Sequence, residues 1–438
     1  MTNMILLTID ALRADHVSCY GYDRKTTPNL DAFAARNRRY RTCIAQSSHT
    51  RESMPSMFFS AYPFELGDVG PVPTDRPTIA SVLSESGFET GGFHSNPYLS
   101  RAYGFDRGFE TFDDSLPLGR NRIATFLYRV LNYVRTRPYT RAEELTDRGL
   151  DWLETTEGER RFLWLHYMDP HGPYQPPDRY QRRYREETLT PRSAKRLWRR
   201  TVDNPDSITL KERQTLVDLY DGEIRYLDTE IGRFLDELDE RELLTDSLVI
   251  VGADHGDAFG EHGTFGHPRR LFEELVRVPL IVSPPSDDSG YELATSVQNV
   301  DLGPTILRSQ DVEIPDEFRG APLAIEGNQL YEEPPDHSGV TFAQASGEGE
   351  DSHIQRYMIR TDEFKLHVEV DTNTDDRTTE LYEIADESTD VSKSYPDETT
   401  RLRDILDEHI RTFDSRPESR EDEVDDIVSD RLENLGYR

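Results

Sequence analysis

Met4-Ile5-Leu6-Leu7-Thr8-Ile9-Asp10 is the stretch on which the fold turns: a short apolar run that stops on a carboxylate. A run with no alternation suits a parallel strand buried on both faces, with Asp10 at its C-terminal edge. Working outward, residues 162–168, 247–252 and 278–282 have the same texture, and 88–93 is a shorter version. Helix signals fall between them. Thr27-Pro28-Asn29-Leu30 places a hydroxyl at the N-cap and proline at the first helical position. Residues 77–86 repeat that grammar until Gly87 stops it, and 212–238 read as one helical stretch. Alternating strand and helix over roughly 300 residues predict a three-layer αβα sandwich around a mostly parallel sheet. In such sheets ligands bind beyond the carboxyl ends of the strands, so the residues just past each strand matter most.

The texture changes near residue 340. Residues 357–359, 364–370 and 380–384 read as short antiparallel strands, 402–413 as a helix and 414–438 as a charged tail. The expected organisation is a catalytic domain over 1–340, a small α+β subdomain over 341–413 and the tail.

Composition sets the boundaries. The 438 residues carry 51 basic and 84 acidic side chains, a net charge of −33. That excess repels nucleic acid and anionic membranes. It suits the surface of a protein from a high-salt cytoplasm, where a Debye length of about 3 Å at 1 M tolerates such self-repulsion. Cys19 and Cys43 are expected as two unpaired thiols. No leader is read at the start, no apolar run approaches the roughly 20 residues of a membrane span, and a cytoplasmic location is expected. Two stretches break the acidic trend. Residues 120–141 place Ile123, Phe126, Leu127, Val130, Leu131 and Val134 on one helical face among arginines, and 181–200 carry eight cations. They read either as helices packed on the core and solvated, or as a lid that collects an anionic substrate or touches a membrane surface.

The polar residues after the strands form a constellation. Asp10 follows the first strand. Ser47-Ser48-His49-Thr50-Arg51-Glu52-Ser53 precedes an apolar run and is expected to cap a helix from about Ser53. His166 and Asp169-Pro170-His171-Gly172 follow the 162 strand, and Asp254-His255-Gly256-Asp257, then His267, follow the 247 strand. Singly, each has an ordinary reading as a cap, a turn or a proline-bounded loop. Together, carboxylates, imidazoles and a hydroxyl at strand ends are what a divalent cation with an activated hydroxyl nucleophile requires.

In that order the motifs resemble the sulfatase family of the alkaline phosphatase superfamily, as a haloarchaeal-type member. The matching blocks include residues 5–29, Gly104-Phe105-Asp106-Arg107-Gly108-Phe109, 166–177, 220–232, 254–262, 266–279, Asp301-Leu302-Gly303-Pro304-Thr305-Ile306 and Leu381-Tyr382-Glu383-Ile384. The resemblance implies an alkaline phosphatase-like fold and one divalent ion, calcium or manganese with magnesium a third option, held by Asp10, Asp254, His255 and the nucleophile's oxygen. It implies that His171 contacts the transferred group or protonates the leaving oxygen with His166 beside it, and that His267 holds a sulfuryl or phosphoryl oxygen. The family's Cys-x-Pro-Ser-Arg motif is absent. Counting back from Tyr62-Pro63 puts Thr50 at the nucleophile position, and a rival register makes it Ser53; Thr50 is favoured. Met54 or Met57 then replaces the motif arginine and Ala11 the second opening aspartate, so formylglycine is not expected. A threonine nucleophile resembles the superfamily's phosphotransferases. The expected activity is hydrolysis of sulfate esters on small alcohols or glycans. The alternatives are phosphodiester or phosphonate monoester hydrolysis, phospho-group transfer, or a degenerate member that only binds; oligomeric state is left open.

Overall fold

The computed structural model describes residues 3–67, 72–115, 139–285, 290–323 and 339–412. The predicted helix at 120–141 falls almost wholly outside the described residues, and the tail at 414–438 wholly. The strands of the main sheet are β1 (Asn3–Ile9), β2 (Arg38–Ile44), β3 (Glu89–Phe93), β4 (Thr111–Asp113), β5 (Arg161–Tyr167) and β6 (Ser247–Ala253). A two-residue hairpin follows, β7 (Ala258–Phe259) with β8 (Phe265–Gly266), then β9 (Arg277–Ser283), β10 (Tyr291–Leu293) and β11 (Val297–Gln298). The sheet runs β10-β2-β9-β6-β1-β5-β3-β4, with β11 also on β2. Only β9 is antiparallel to its neighbours among these pairs.

Side-chain parity on β5 shows how two helical layers are served. Trp164 meets Phe58 of helix Thr50–Phe59 at 4.4 Å between ring centroids, and His166 follows on the same face. Tyr167 points the other way, its hydroxyl 2.9 Å from Thr146 of helix Ala142–Thr155. Gly149 lets that helix lie close, because a Cβ there would come within 2.7 Å of Leu165. Helices Pro28–Ala34, Ala142–Thr155 and Leu210–Glu240 pack together, and Thr50–Phe59, Ile79–Glu85 and Leu302–Ser309 form a second group. The architecture is the expected αβα sandwich.

A second, antiparallel sheet runs β12 (Thr341–Ser346), β13 (Ile354–Arg360), β14 (Phe364–Asp371), β15 (Arg377–Glu383). Alternation divides it cleanly. Tyr357 and Ile359 join Leu402 and Leu406 of helix Pro396–Arg411, whereas Met358, Ala343 and Ala345 pack on Ile44, Ala258, Leu271 and Val276 of the main body.

Three of the differences from expectation concern the sheets and the helix beside the site. β2, rich in arginine, gave no apolar run, yet it pairs with β9, β10 and β11. β12 turns Ala343 and Ala345 toward the main body and Phe342 toward the C-terminal helix, so its sequence carries little bulk. The helix expected from Ser53 begins at Thr50, because His49 is its cap and its ring accepts from the Arg51 N–H at 3.2 Å. Cys19 and Cys43 are both free thiols. Among the described residues no helix is long and apolar enough to cross a membrane.

Candidate active site

Parity on β1 puts Thr8 and Asp10 on the face occupied by Trp164 and His166. The Thr8 hydroxyl accepts from Trp164 Nε1 at 2.9 Å and lies 2.9 Å from His166 Nδ1. His166 Nε2 is 3.3 Å from Asp10 Oδ2. With Thr8 donating to Nδ1, the ring proton sits on Nε2 and points at Asp10. Both nitrogens of His166 are thus engaged, and it orients the carboxylate. Asn96 gives Asp10 Oδ2 a second donor at 2.7 Å.

β1 and β6 are neighbours with Ile9 opposite Ala253, so the next residues, Asp10 and Asp254, emerge side by side. The Ala11 and His255 amides donate to Asp254 Oδ1 at 3.2 and 2.8 Å. Ala11 reaches it with a positive φ of 57°, a conformation an alanine rarely holds without surrounding constraint. His255 Nδ1 lies 2.8 Å from the Gly256 carbonyl, which keeps its proton there and leaves Nε2 as an electron-pair donor. That Nε2 stands 3.7 Å from Asp10 Oδ1, 3.6 Å from Asp254 Oδ2 and 3.0 Å from Thr50 Oγ1. Thr50 opens its helix, where unpaired amides and the dipole favour negative charge.

Asp10 Oδ1 and Asp254 Oδ2 are buried and have no hydrogen-bond partner, and one donor atom each from Asp10, Asp254 and His255 lies within 4.8 Å of the others. A buried oxygen without a partner is costly unless a cation faces it. The residues present therefore fit a divalent ion. Charge tells the same story. Burial pushes the Asp254 carboxyl up, and the Asp10 carboxylate adds to this. Burial also acts on Asp10, but His171, His166 and His255 outweigh it and hold Asp10 below its ordinary range. His255 is raised in spite of burial, by Asp254 and Asp10.

The open side is lined by imidazoles. The His267 ring lies 4.9 Å from those of His171 and His255 and 5.3 Å from that of His49. His171 Nδ1 is 2.7 Å from the Gly172 carbonyl, which leaves Nε2 for exchange of a proton. His267 Nδ1 is 3.4 Å from Asp257 Oδ1, while Tyr174 donates to Asp257 Oδ2. Burial, opposed by Asp257 and helped by His255 and His171, holds His267 down at about 4. Trp198 of helix Pro191–Asp203 packs against Gly172, where a Cβ would come within 2.1 Å of Nε1. Arg192, Arg196 and Arg199 of that helix are exposed.

Thr50, His255, Asp10, Asp254 and His166 converge, and His171 and His267 face them. Ser53 stands one turn further along the helix, its hydroxyl donating to the Asp254 carbonyl at 2.5 Å. The sequence reading assigned no role to Thr8, His49, Asn96, Asp257 or Tyr174. Asn96 lies just past β3, so the strand-end rule could have found it. Arg51 was also passed over; its guanidinium lies over the rings of Tyr98 and Tyr103, at 5.6 and 5.7 Å.

A family model described as Sulfatase matches residues 2–312. One described as N-sulphoglucosamine sulphohydrolase, C-terminal, matches 260–415. An N-acetylglucosamine-6-O-sulfatase of Bacteroides thetaiotaomicron is 23% identical over an alignment of 442 residues that covers 83% of this chain and 78% of that protein. A solved structure described as bound to its substrate D-glucosamine-2-N,6-O-disulfate superposes with a TM-score of 0.75 at 20% identity, covering 96% of this chain and 100% of that one. The phosphonate monoester hydrolase of Agrobacterium radiobacter superposes with a TM-score of 0.71 at 17% identity, covering 94% and 96%. At such identities the superpositions speak for the fold.

Proposed function

Because this chain belongs to the sulfatase family and is a sulfuric ester hydrolase, we propose that it cleaves sulfate esters of small alcohols or glycans by in-line attack of Thr50. The single observation that carries this reading is the pair of partnerless oxygens, Asp10 Oδ1 and Asp254 Oδ2, opposite His255 Nε2 and the Thr50 hydroxyl. Asp10, Asp254 and His255, with Thr50 Oγ1, would hold one divalent ion, calcium, manganese or magnesium. When bound, that ion favours the deprotonated hydroxyl and neutralises charge on the transferred group.

The chain's own groups do the rest. Thr50 Oγ1 attacks sulfur as the bond to the alcohol oxygen breaks, and His171 Nε2 delivers a proton to that oxygen. His267 donates to a sulfuryl oxygen once protonated, and the arriving anion favours that protonation. Water then attacks the sulfur of the Thr50 ester, giving one proton to His171 and the other to solvent, and sulfate departs as Thr50 returns to the deprotonated form in which it attacked. His166 and Asn96 hold Asp10 in place, and Ser53 supports the Asp254 backbone. The exposed arginines of helix Pro191–Asp203 supply positive potential beside His171 for an anionic substrate. The protein works as a catalytic domain over 1–340, a subdomain over 341–413 and a tail, in a haloarchaeal-type, high-salt cytoplasm.

A second reading is hydrolysis of phosphodiesters or phosphonate monoesters, or phospho-group transfer. It is favoured by a threonine with no formylglycine precursor and by the missing motif arginine. Aryl sulfate, phosphodiester and phosphonate monoester, assayed in parallel in molar salt with and without chelator, decide between the two. The first reading expects the sulfate to turn over fastest, chelator to stop it, and a sulfo group on the Thr50 peptide after quenching. Label on Ser53, or chelator-resistant turnover, would reject it.

A further inference from the structure

The acidic residues behind the active site contain a carboxylate for which the neighbouring cations leave no partner. Glu273 is bound by Arg360 and Lys365, both at 2.9 Å. Glu387 takes Lys365 Nζ at 2.8 Å and the Glu273 N–H at 2.8 Å. The remaining carboxylate is Glu274. Its side chain is 8% exposed, and Oε1 has no hydrogen-bond partner yet points at His262 Nε2, 3.8 Å away. The His262 ring lies flat on Phe272, 3.6 Å between centroids and 5° between planes, which fixes its direction. One donor atom each from His262, Glu274 and Glu387 lies within 4.8 Å of the others.

We propose that His262, Glu274 and Glu387 form a second, non-catalytic cation site that clasps the C-terminal sheet to the backbone behind the active site. One imidazole and two carboxylates suit a borderline divalent ion, Zn2+ or Mn2+, with water completing the shell. His262 is 24% exposed at its side chain, so the ion reaches the site from solvent. The position has leverage. The Gly256 amide donates to the Leu275 carbonyl at 2.7 Å, and a Cβ at Gly256 would come within 2.0 Å of the Glu274 carbonyl. The chain carrying Glu274 thus lies directly against the residue that follows His255. Glu387 belongs to the segment after β15, so one ion joins the two parts.

The test uses the full-length Asp10→Ala/Asp254→Ala protein, in which the first site has lost both carboxylates. Stripped with chelator, desalted and titrated with Zn2+ alone, it is expected to retain one equivalent by elemental mass spectrometry and to gain thermal stability. Adding His262→Asn should remove both effects, because asparagine tolerates the φ of +51° at this position but cannot reach the ion. Glu274→Gln should act in the same way. A double variant that retains no zinc overturns the proposal, as does a full equivalent persisting in both added variants.

Discussion

Two buried groups of charge lie on either side of the Gly256–Leu275 contact, and they are built on opposite principles. Around Glu273, fixed cations answer the carboxylates: Lys365, fully buried, reaches Glu273, Glu387 and the Leu271 carbonyl. Around Asp10 and Asp254 the partners named are imidazoles, amides and a carboxamide, and one oxygen of each carboxylate is left open. Glu273 and Glu387 are thus closed by side chains that never leave, with Glu274 beside them the one left open. On the proposed reading, the open oxygens of Asp10 and Asp254 are kept for an exchangeable ion and a transient oxyanion, at a cost in stability.

The sharpest way to break this contrast is to remove one carboxylate on the catalytic side. Asp254→Ala is expected to lower aryl sulfate turnover by about a thousandfold or more, while its metal-free melting temperature equals or exceeds that of the metal-free parent. A parallel fall in stability, seen by calorimetry, would mean the two groups are alike. Lys365→Met should do the reverse. It leaves Glu387 buried without its cation and Glu273 with Arg360 alone, and urea titration should show a loss of about 3–5 kcal/mol. Asn96→Ala removes one of the donors that orient Asp10. A loss of about 10–100-fold in metal affinity or turnover is expected, with the fold intact by circular dichroism.

The smallest effect belongs to the C-terminal helix. His409 lies flat on Phe342, 3.7 Å between centroids, and burial pushes it down to about 3. A histidine depressed on folding contributes stability in full above its unfolded value, about 6.5. That contribution is lost as pH falls through the window toward its folded value. Between pH 7 and 5 the parent should therefore lose up to about 2 kcal/mol more than His409→Gln. Equal slopes in denaturant titrations would remove His409 from the account.

Much of the candidate site was legible because strand ends are legible. Asp10, His166 and the Asp254–His255 pair follow apolar runs, and Thr50 came from its spacing to Tyr62-Pro63 together with the family pattern. Thr8 was not, since a lone threonine in an apolar strand carries no mark of the imidazole on the next strand. His49 was quoted only as part of a polar run, and its place against His267 depends on the helix starting three residues early. β2 escaped for a related reason: its edges are satisfied by β9, β10 and β11, all distant in sequence, so it needed neither bulk nor alternation.

The order of apolar runs and helix signals was enough, by local physics alone, to determine an αβα sandwich and to nominate the carboxylates at its rim. Only tertiary structure decided which oxygens stay open and which are closed. That choice depends on hydrogen-bond donors brought from other strands and loops, such as Asn96 to Asp10 and the Ala11 amide to Asp254, across separations of 86 and 243 residues.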